Sequence, residues 1–140
     1  AELYTLLSSI SNIPIKQNFA LTGSINQNGQ VQAIGGVNEK IEGFYDVCKL
    51  KDENFNASVI IPFSNIKNLM LKEEVLNSVR KGQFRIYAIK HVDEGVKLLM
   101  DIDAGVRGAS GKFPKNSLNY LVENRLIEFS ELSLGKKISK

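Results

Sequence analysis

The chain holds one cysteine and one histidine in 140 residues, and these scarcities remove whole classes of explanation. Cys48 has no second thiol with which to close an internal disulfide, so a core must hold the fold, as suits a reducing, cytoplasmic setting. His91 and Cys48 alone provide no Cys/His cluster at metal-ligand spacing. No apolar run approaches the roughly 18 residues a membrane-spanning helix needs, and no charged-then-apolar leader opens the chain. No internal repeat or low-complexity tract is present. Charge of one sign is also scarce: 18 basic residues face 15 acidic ones, several of the basic ones in the tail at Lys136, Lys137 and Lys140. So mild a balance gives no reason to expect nucleic acid as a partner.

What is present suffices for one compact soluble domain, since 43% of the residues are hydrophobic and a chain of this length can bury a sizeable core. The chain starts at Ala1 rather than Met, and Leu3, Leu6, Leu7 and Ile10 already keep helical spacing, so it reads as a piece of a longer protein. The spacing predicts a helix to Asn12, stopped by Ile13-Pro14. Alternation over Phe19, Leu21 and Ile25, the Asn28-Gly29 turn and then Val31, Ala33 and Ile34 predicts a β-hairpin. Gly35-Gly36 ends it, and Val37, Ile41, Phe44, Tyr45 and Cys48 mark one face of a second helix. A short buried strand is expected over Ser58 to Ile61, one or two helices between Ser64 and Arg80, and a strand over Phe84 to Ile89. A helix from Val92 to about Ile102 follows, with Asp93 and Glu94 in its first turn, where the dipole favours acids. Gly105 to Lys112 reads as a polar loop, and Leu118, Leu121, Val122, Leu126, Phe129 and Leu132 mark a last helix.

The stretch richest in chemistry runs from Thr22-Gly23-Ser24 through the hairpin to Ile34-Gly35-Gly36-Val37-Asn38-Glu39-Lys40. It sets Lys40 in the first turn of a helix, at the edge of the stripe of Val37, Ile41 and Phe44, from which its amine can lean into partly buried space. Burial and the positive end of the helix dipole both favour the neutral amine, and reaching neutrality near pH 7 takes about 4 kcal/mol. A neutral lysine is a competent general base. By physics alone the commoner outcome for such a lysine is to snorkel to solvent.

These residues resemble the proteolytic domain of the Lon protease family, in which the Glu-Lys pair matched by Glu39-Lys40 ends the dyad motif. Ile13-Pro14, Val59-Ile60-Ile61-Pro62 and His91-Val92-Asp93-Glu94 look like Lon landmarks in order. Gly111-Lys112-Phe113-Pro114, with Ser117, Asn119 and Arg125-Leu126, resembles a Lon-like bacterial subgroup rather than the housekeeping enzyme. The resemblance implies an α+β (α/β) fold similar to ribosomal protein S5 domain 2, with one proteolytic domain over 1–140 that lacks its N-terminal part. It implies an ATP-dependent serine endopeptidase with a Ser-Lys dyad, hydrolysing unfolded proteins. Lys40 would be the general base, and Thr22 would orient it. The nucleophilic serine and the oxyanion-hole amides would lie upstream of Ala1, so that this piece alone would be inactive. No cofactor is expected in this domain; ATP and magnesium are expected in an upstream unfoldase part, within a homo-oligomeric ring, usually a hexamer. Ser24 stands where many Lon enzymes carry glutamate, so that carboxylate's role does not transfer.

The remaining signals are read as structural. Ser8, Ser9 and Ser11 lie off the apolar stripe of their helix and are expected to be solvated, without the turn a nucleophile needs. Gly105 to Lys112 only imitates a Walker loop, because its spacing is wrong, Phe113 replaces the Ser/Thr and no strand leads in. Gly35-Gly36 could cradle an anion but more simply turns the chain. Asn56-Ala57-Ser58 is a chance sequon, His91 a surface or helix-start residue, and Cys48 a core residue. Two other functions are open to the same fold. One is a non-catalytic module binding RNA or phosphate through Arg80, Lys81, Arg85 and Lys112; the other is a ring-assembly module that has lost activity.

Overall fold

The computed structural model describes residues 1–135, so the basic tail at Lys136, Lys137 and Lys140 lies outside the described residues. In chain order the elements are α1 (Glu2–Ser11), β1 (Phe19–Leu21), β2 (Ser24–Ile25), β3 (Val31–Gln32), α2 (Val37–Lys51), β4 (Ala57–Pro62), a 3-10 helix (Phe63–Asn68), α3 (Glu73–Arg80), β5 (Phe84–Ile89), α4 (Val92–Met100) and α5 (Leu118–Ser133). The chain divides into two compact units, Lys16–Gly95 and a second made of Ala1–Ile15 with the chain from Val96 onward.

The first unit is α/β. Its sheet has the order β1-β4-β5 with both pairings parallel, so each connection is a crossover. The β1–β4 crossover carries the hairpin and α2, and the β4–β5 crossover carries the 3-10 helix and α3. The central strand β4 is buried at all six positions, which is why its sequence is a continuous run rather than an alternation. Ala57 and Ser58 lie in that buried strand, 3% and 2% exposed, while Asn56 just before it is exposed. Val37, Ile41 and Tyr45 of α2 pack with Val59 and Ile61, Val75 of α3 and Phe84 of β5. Cys48 is half-buried against this core, and burial pushes its thiol up while Lys51 pulls it down. The Tyr45 hydroxyl, brought inside by its ring, is satisfied by Ser78 Oγ at 2.9 Å.

The predicted hairpin is corrected in one respect. Phe19–Leu21 does not pair with the returning strand but joins β4 in parallel, and only Ser24–Ile25 pairs with Val31–Gln32. Gly23 makes the break: its φ is +148°, and a Cβ there would come within 3.2 Å of Val31 and 3.3 Å of Pro62. The Asn28-Gly29 turn is present. Asn26 Oδ1 accepts from the amides of Asn28 and Gln30, and Gly29 sits at φ +77° with the His91 ring where a Cβ would be, 2.7 Å from Nε2. Gly29→Ala is therefore expected to cost about 1–2 kcal/mol from backbone handedness alone. It should also displace His91, which thermal melts and loss of amide protection at Gly29 and Val92 would register.

Two ion pairs tie α2 to α3 and to the residue before it, Lys49–Glu74 at 2.9 Å and Lys72–Glu42 at 3.3 Å. The hydrogen bond and charge of Glu74 raise the Lys49 ammonium, and those of Glu42 raise Lys72. A raised lysine adds stability that is full below the ordinary lysine range and fades as pH climbs through the raised value. Glu74→Gln should return Lys49 downward in an NMR titration of its Cε resonance, leaving Lys72 raised. An unmoved Lys49 would refute the assignment.

In the second unit α1 lies against α5. The stripe predicted for α1 is rotated: Tyr4 is its buried residue at 4% exposure, whereas Leu6 is 57% exposed. The helix stops at Asn12, which takes φ 60°, as its sequence predicts. Ser8 and Ser11 are half-buried rather than solvated. Ser8 Oγ donates to Ile13 O at 2.6 Å and Ser11 Oγ accepts from Ile13 N at 3.3 Å, so both hydroxyls hold the chain just past the helix end; Ser9 is exposed. The 105–112 segment is a loop, pinned by Arg107 to Gly111 O and Glu123, each at 2.7 Å. Ser117 caps α5 by accepting from Tyr120 N, and Leu118 is fully buried, but Leu126, Phe129 and Leu132 are exposed. No helix among the described residues is long and apolar enough to cross a membrane.

Candidate active site

Thr22 and Lys40 both belong to the sheet-bearing unit. Thr22 directly follows β1 and extends its ladder, its amide donating to Ile60 O at 3.0 Å. Its side chain is half-buried, and its hydroxyl has no hydrogen-bond partner among the described residues. Gly23 then turns the chain into β2, where Ser24 Oγ bonds Gln32 Oε1 across the hairpin at 3.3 Å.

The returning strand leads into α2 through Gly36, the residue before the helix, at φ 67°. A left-handed residue at that point is a turn requirement, and glycine meets it without steric cost. The amide of Lys40 makes an early hydrogen bond of α2, to Gly36 O at 3.1 Å. Val37 and Ile41 on either side are 3% and 0% exposed, so the helix is anchored by its stripe while Lys40 stands at the stripe's edge. Lys40 is exposed, and its ammonium has no hydrogen-bond or ion-pair partner among the described residues. The lean into buried space expected from the helical wheel is not realised here, because one edge position is too far round the helix for the core to cover. The Thr22 hydroxyl and Lys40 ammonium are not bonded to each other.

Two asparagines that sequence reading passed over organise this helix start. Asn65 of the 3-10 helix is 2% exposed; its Oδ1 accepts from Ile34 N and its Nδ2 donates to Ile34 O, both at 3.0 Å. Asn38 Nδ2 donates to Asn68 O at 2.9 Å, and its Oδ1 accepts from Met70 N at 2.8 Å. The only signal available was an asparagine three residues after Pro62, which does not name its partner. A cavity of about 380 Å³ opens beside Gly36, Asn38, Glu39 and Asn68. His91, read from the sequence as a surface or helix-start residue, starts α4: Nε2 lies 3.0 Å from Asn28 O and Nδ1 accepts from Asp93 N. Glu94 reaches back to the His91 amide at 3.0 Å, half of a capping box. Among the described residues no three His, Cys, Asp or Glu side chains form a group able to hold a metal.

A parallel sheet with covering helices is consistent with an α/β proteolytic domain. Residues 2–101 match the model of the Lon protease (S16) C-terminal proteolytic domain, and the chain belongs to that family. It is 39% identical over 102 residues to a Lon protease homolog of Escherichia coli (strain K12), an alignment covering 73% of this chain and 17% of that protein. To a Lon protease homolog of Haemophilus influenzae it is 35% identical over 121 residues, 86% of this chain and 20% of the relative. To the archaeal Lon protease of Methanocaldococcus jannaschii it is 38% identical over 108 residues, 77% and 14%. The chain thus spans a fifth or less of the length of these relatives.

Proposed function

We propose that this chain supplies the lysine half of a Ser-Lys dyad in an ATP-dependent serine endopeptidase that cleaves unfolded polypeptide. Lys40 is the general base, Thr22 orients its amine, and the nucleophilic serine comes from N-terminal of Ala1. Lys40 takes the proton of the serine hydroxyl as the oxygen attacks the peptide carbonyl. The same lysine then protonates the leaving amine, and water hydrolyses the acyl-enzyme. Such a base needs surroundings of low polarity, and the segment that brings the serine is the natural cover for the Lys40 ammonium, exposed in this chain. The chain by itself is inactive in this reading. ATP and magnesium act in a separate unfoldase part, and subunits assemble into a ring, usually of six.

The observation that carries the reading is the unpaired Lys40 amine at an anchored helix start in a member of the Lon family. The test is hydrolysis of an unfolded protein by the intact protein with and without a serine-directed phosphonylating reagent. Cleavage abolished by stoichiometric labelling of one serine is expected; cleavage indifferent to the reagent would sink the dyad. Of the residues that the RNA- or phosphate-binding alternative would use, Arg80 is engaged by Glu73 and Arg85 by Asn56, while Lys81 and Lys112 are exposed.

A further inference from the structure

We propose that Asn65, together with Asn38, is a positioning residue for Lys40, an inference that rests on the reading of Lys40 as the base. Asn65 is almost wholly buried and pairs with both main-chain groups of one residue, Ile34 N–H and Ile34 C=O. A side chain in that role replaces a neighbouring strand: β3 ends at Gln32, and Ile34 would otherwise carry two unpaired peptide groups into a half-buried place. Packing alone would be met by a leucine of similar size. An asparagine is needed because it presents one acceptor and one donor side by side. Its Nδ2 also lies 3.4 Å from Asn68 Oδ1.

Asn38 closes the clamp from the other side. It stands in the first turn of α2 and holds Asn68 O and Met70 N, where the chain leaves the 3-10 helix. Each of the two segments therefore lends the other an asparagine, and Gly35 to Val37 lie between the two grips. Gly36 offers α2 no side-chain cap, so these bonds, rather than a capping hydroxyl, fix where the helix begins. Lys40 follows Asn38 by two residues and bonds through its amide to Gly36. The buried stripe of Val37, Ile41 and Tyr45 sets the axis of α2; the clamp sets how its first turn is wound, and so the direction in which the Lys40 side chain departs. A reacting group displaced by about 1 Å can lose roughly a hundredfold in rate, which makes that direction matter for turnover more than for binding.

The test uses the intact, peptidase-active protein and the variants Asn65→Asp, Asn38→Ala and Lys40→Ala, with rates divided by the folded fraction from circular dichroism. Aspartate keeps the shape and the acceptor but loses the donor toward Ile34 O. Asn65→Asp should lower kcat by about tenfold with KM within about twofold, since misdirection costs turnover rather than binding. Its deficit against the unsubstituted protein should narrow from pH 9 to pH 6, because burial favours a protonated carboxyl, which regains the donor. Asn38→Ala, which removes bonds nearer the surface, should lower kcat by about three- to tenfold in the same manner. A purely structural asparagine would change the folded fraction and leave kcat per folded molecule and its pH profile untouched. That result in both variants overturns the proposal, and if Asn65→Asp does not fold, Asn38→Ala alone decides it. Lys40→Ala separates the two levels: should it stay active, the base assignment falls and the positioning role with it. An inactive Lys40→Ala beside asparagine variants with normal kcat removes only the positioning role.

Discussion

Lys40→Ala is expected to reduce turnover of unfolded protein and of a fluorogenic peptide by about 10²–10⁴-fold, the range of a lost general base, or about 3–5 kcal/mol of barrier. KM should change little, because the amine acts on the serine proton and not on substrate binding. The fold should be indifferent. Lys40 is exposed and unpaired among the described residues, and surface substitutions of that kind fall within about 0.5 kcal/mol of neutral. Lys40→Arg is the sharper variant. A lysine that only solvates the edge of a helix tolerates arginine, which keeps the charge and the long stem, whereas a base does not, since a guanidinium stays protonated. Steady-state kinetics with both variants decide the matter, and full activity in Lys40→Arg would end the assignment of Lys40 as the proton acceptor.

The sequence disclosed those parts of the fold that depend on neighbours in the chain. The apolar spacing of Val37, Ile41 and Tyr45 placed α2, the unbroken run of β4 announced a strand covered on both faces, and Asn12 marked the end of α1. What stayed hidden depends on partners distant in sequence. Phe19–Leu21 alternates like one arm of a hairpin, and only the pairing with β4, some 39 residues on (19 to 58), reveals that Gly23 divides it between two sheets. Asn65 and Ile34 lie 31 residues apart, and a lone asparagine carries no mark of the peptide it will bind. The candidate site divides in the same way. Lys40 could be picked out from its motif and its position on a helical wheel, but whether its amine is covered is a tertiary fact, and the core of this unit stops one helix position short of covering it. The α1 stripe misled for a related reason: periodicity fixes a face but not its rotation, and the face that closed was the one containing Tyr4.

Phe84→Ala should be the most damaging substitution to stability in the sheet-bearing unit, at about 3–5 kcal/mol for a fully buried phenylalanine. Phe84 opens β5 and is 0% exposed. Its ring meets Tyr45 edge-on at 5.5 Å, Phe55 at 6.2 Å and Phe44 at 6.0 Å, contacts that each add about 0.5–1.5 kcal/mol beyond burial. Two of those partners, Phe44 and Tyr45, are on α2, so the ring fastens to the sheet the helix whose first turn bears Lys40. A domain of this size holds about 5–15 kcal/mol in all, and the loss therefore takes a large share of it, lowering the melting temperature by roughly 10–20 °C. Phe129→Ala is the matched control. That ring is 43% exposed on α5, and its loss should move the urea midpoint far less. Equilibrium unfolding of both variants makes the comparison, and equal shifts would mean that the aromatic cluster is not what holds α2 to its sheet. At temperatures where the Phe84 variant is still largely folded, hydrogen exchange at the Lys40 and Ile41 amides should already be faster, because the anchor of α2 weakens before the sheet itself separates.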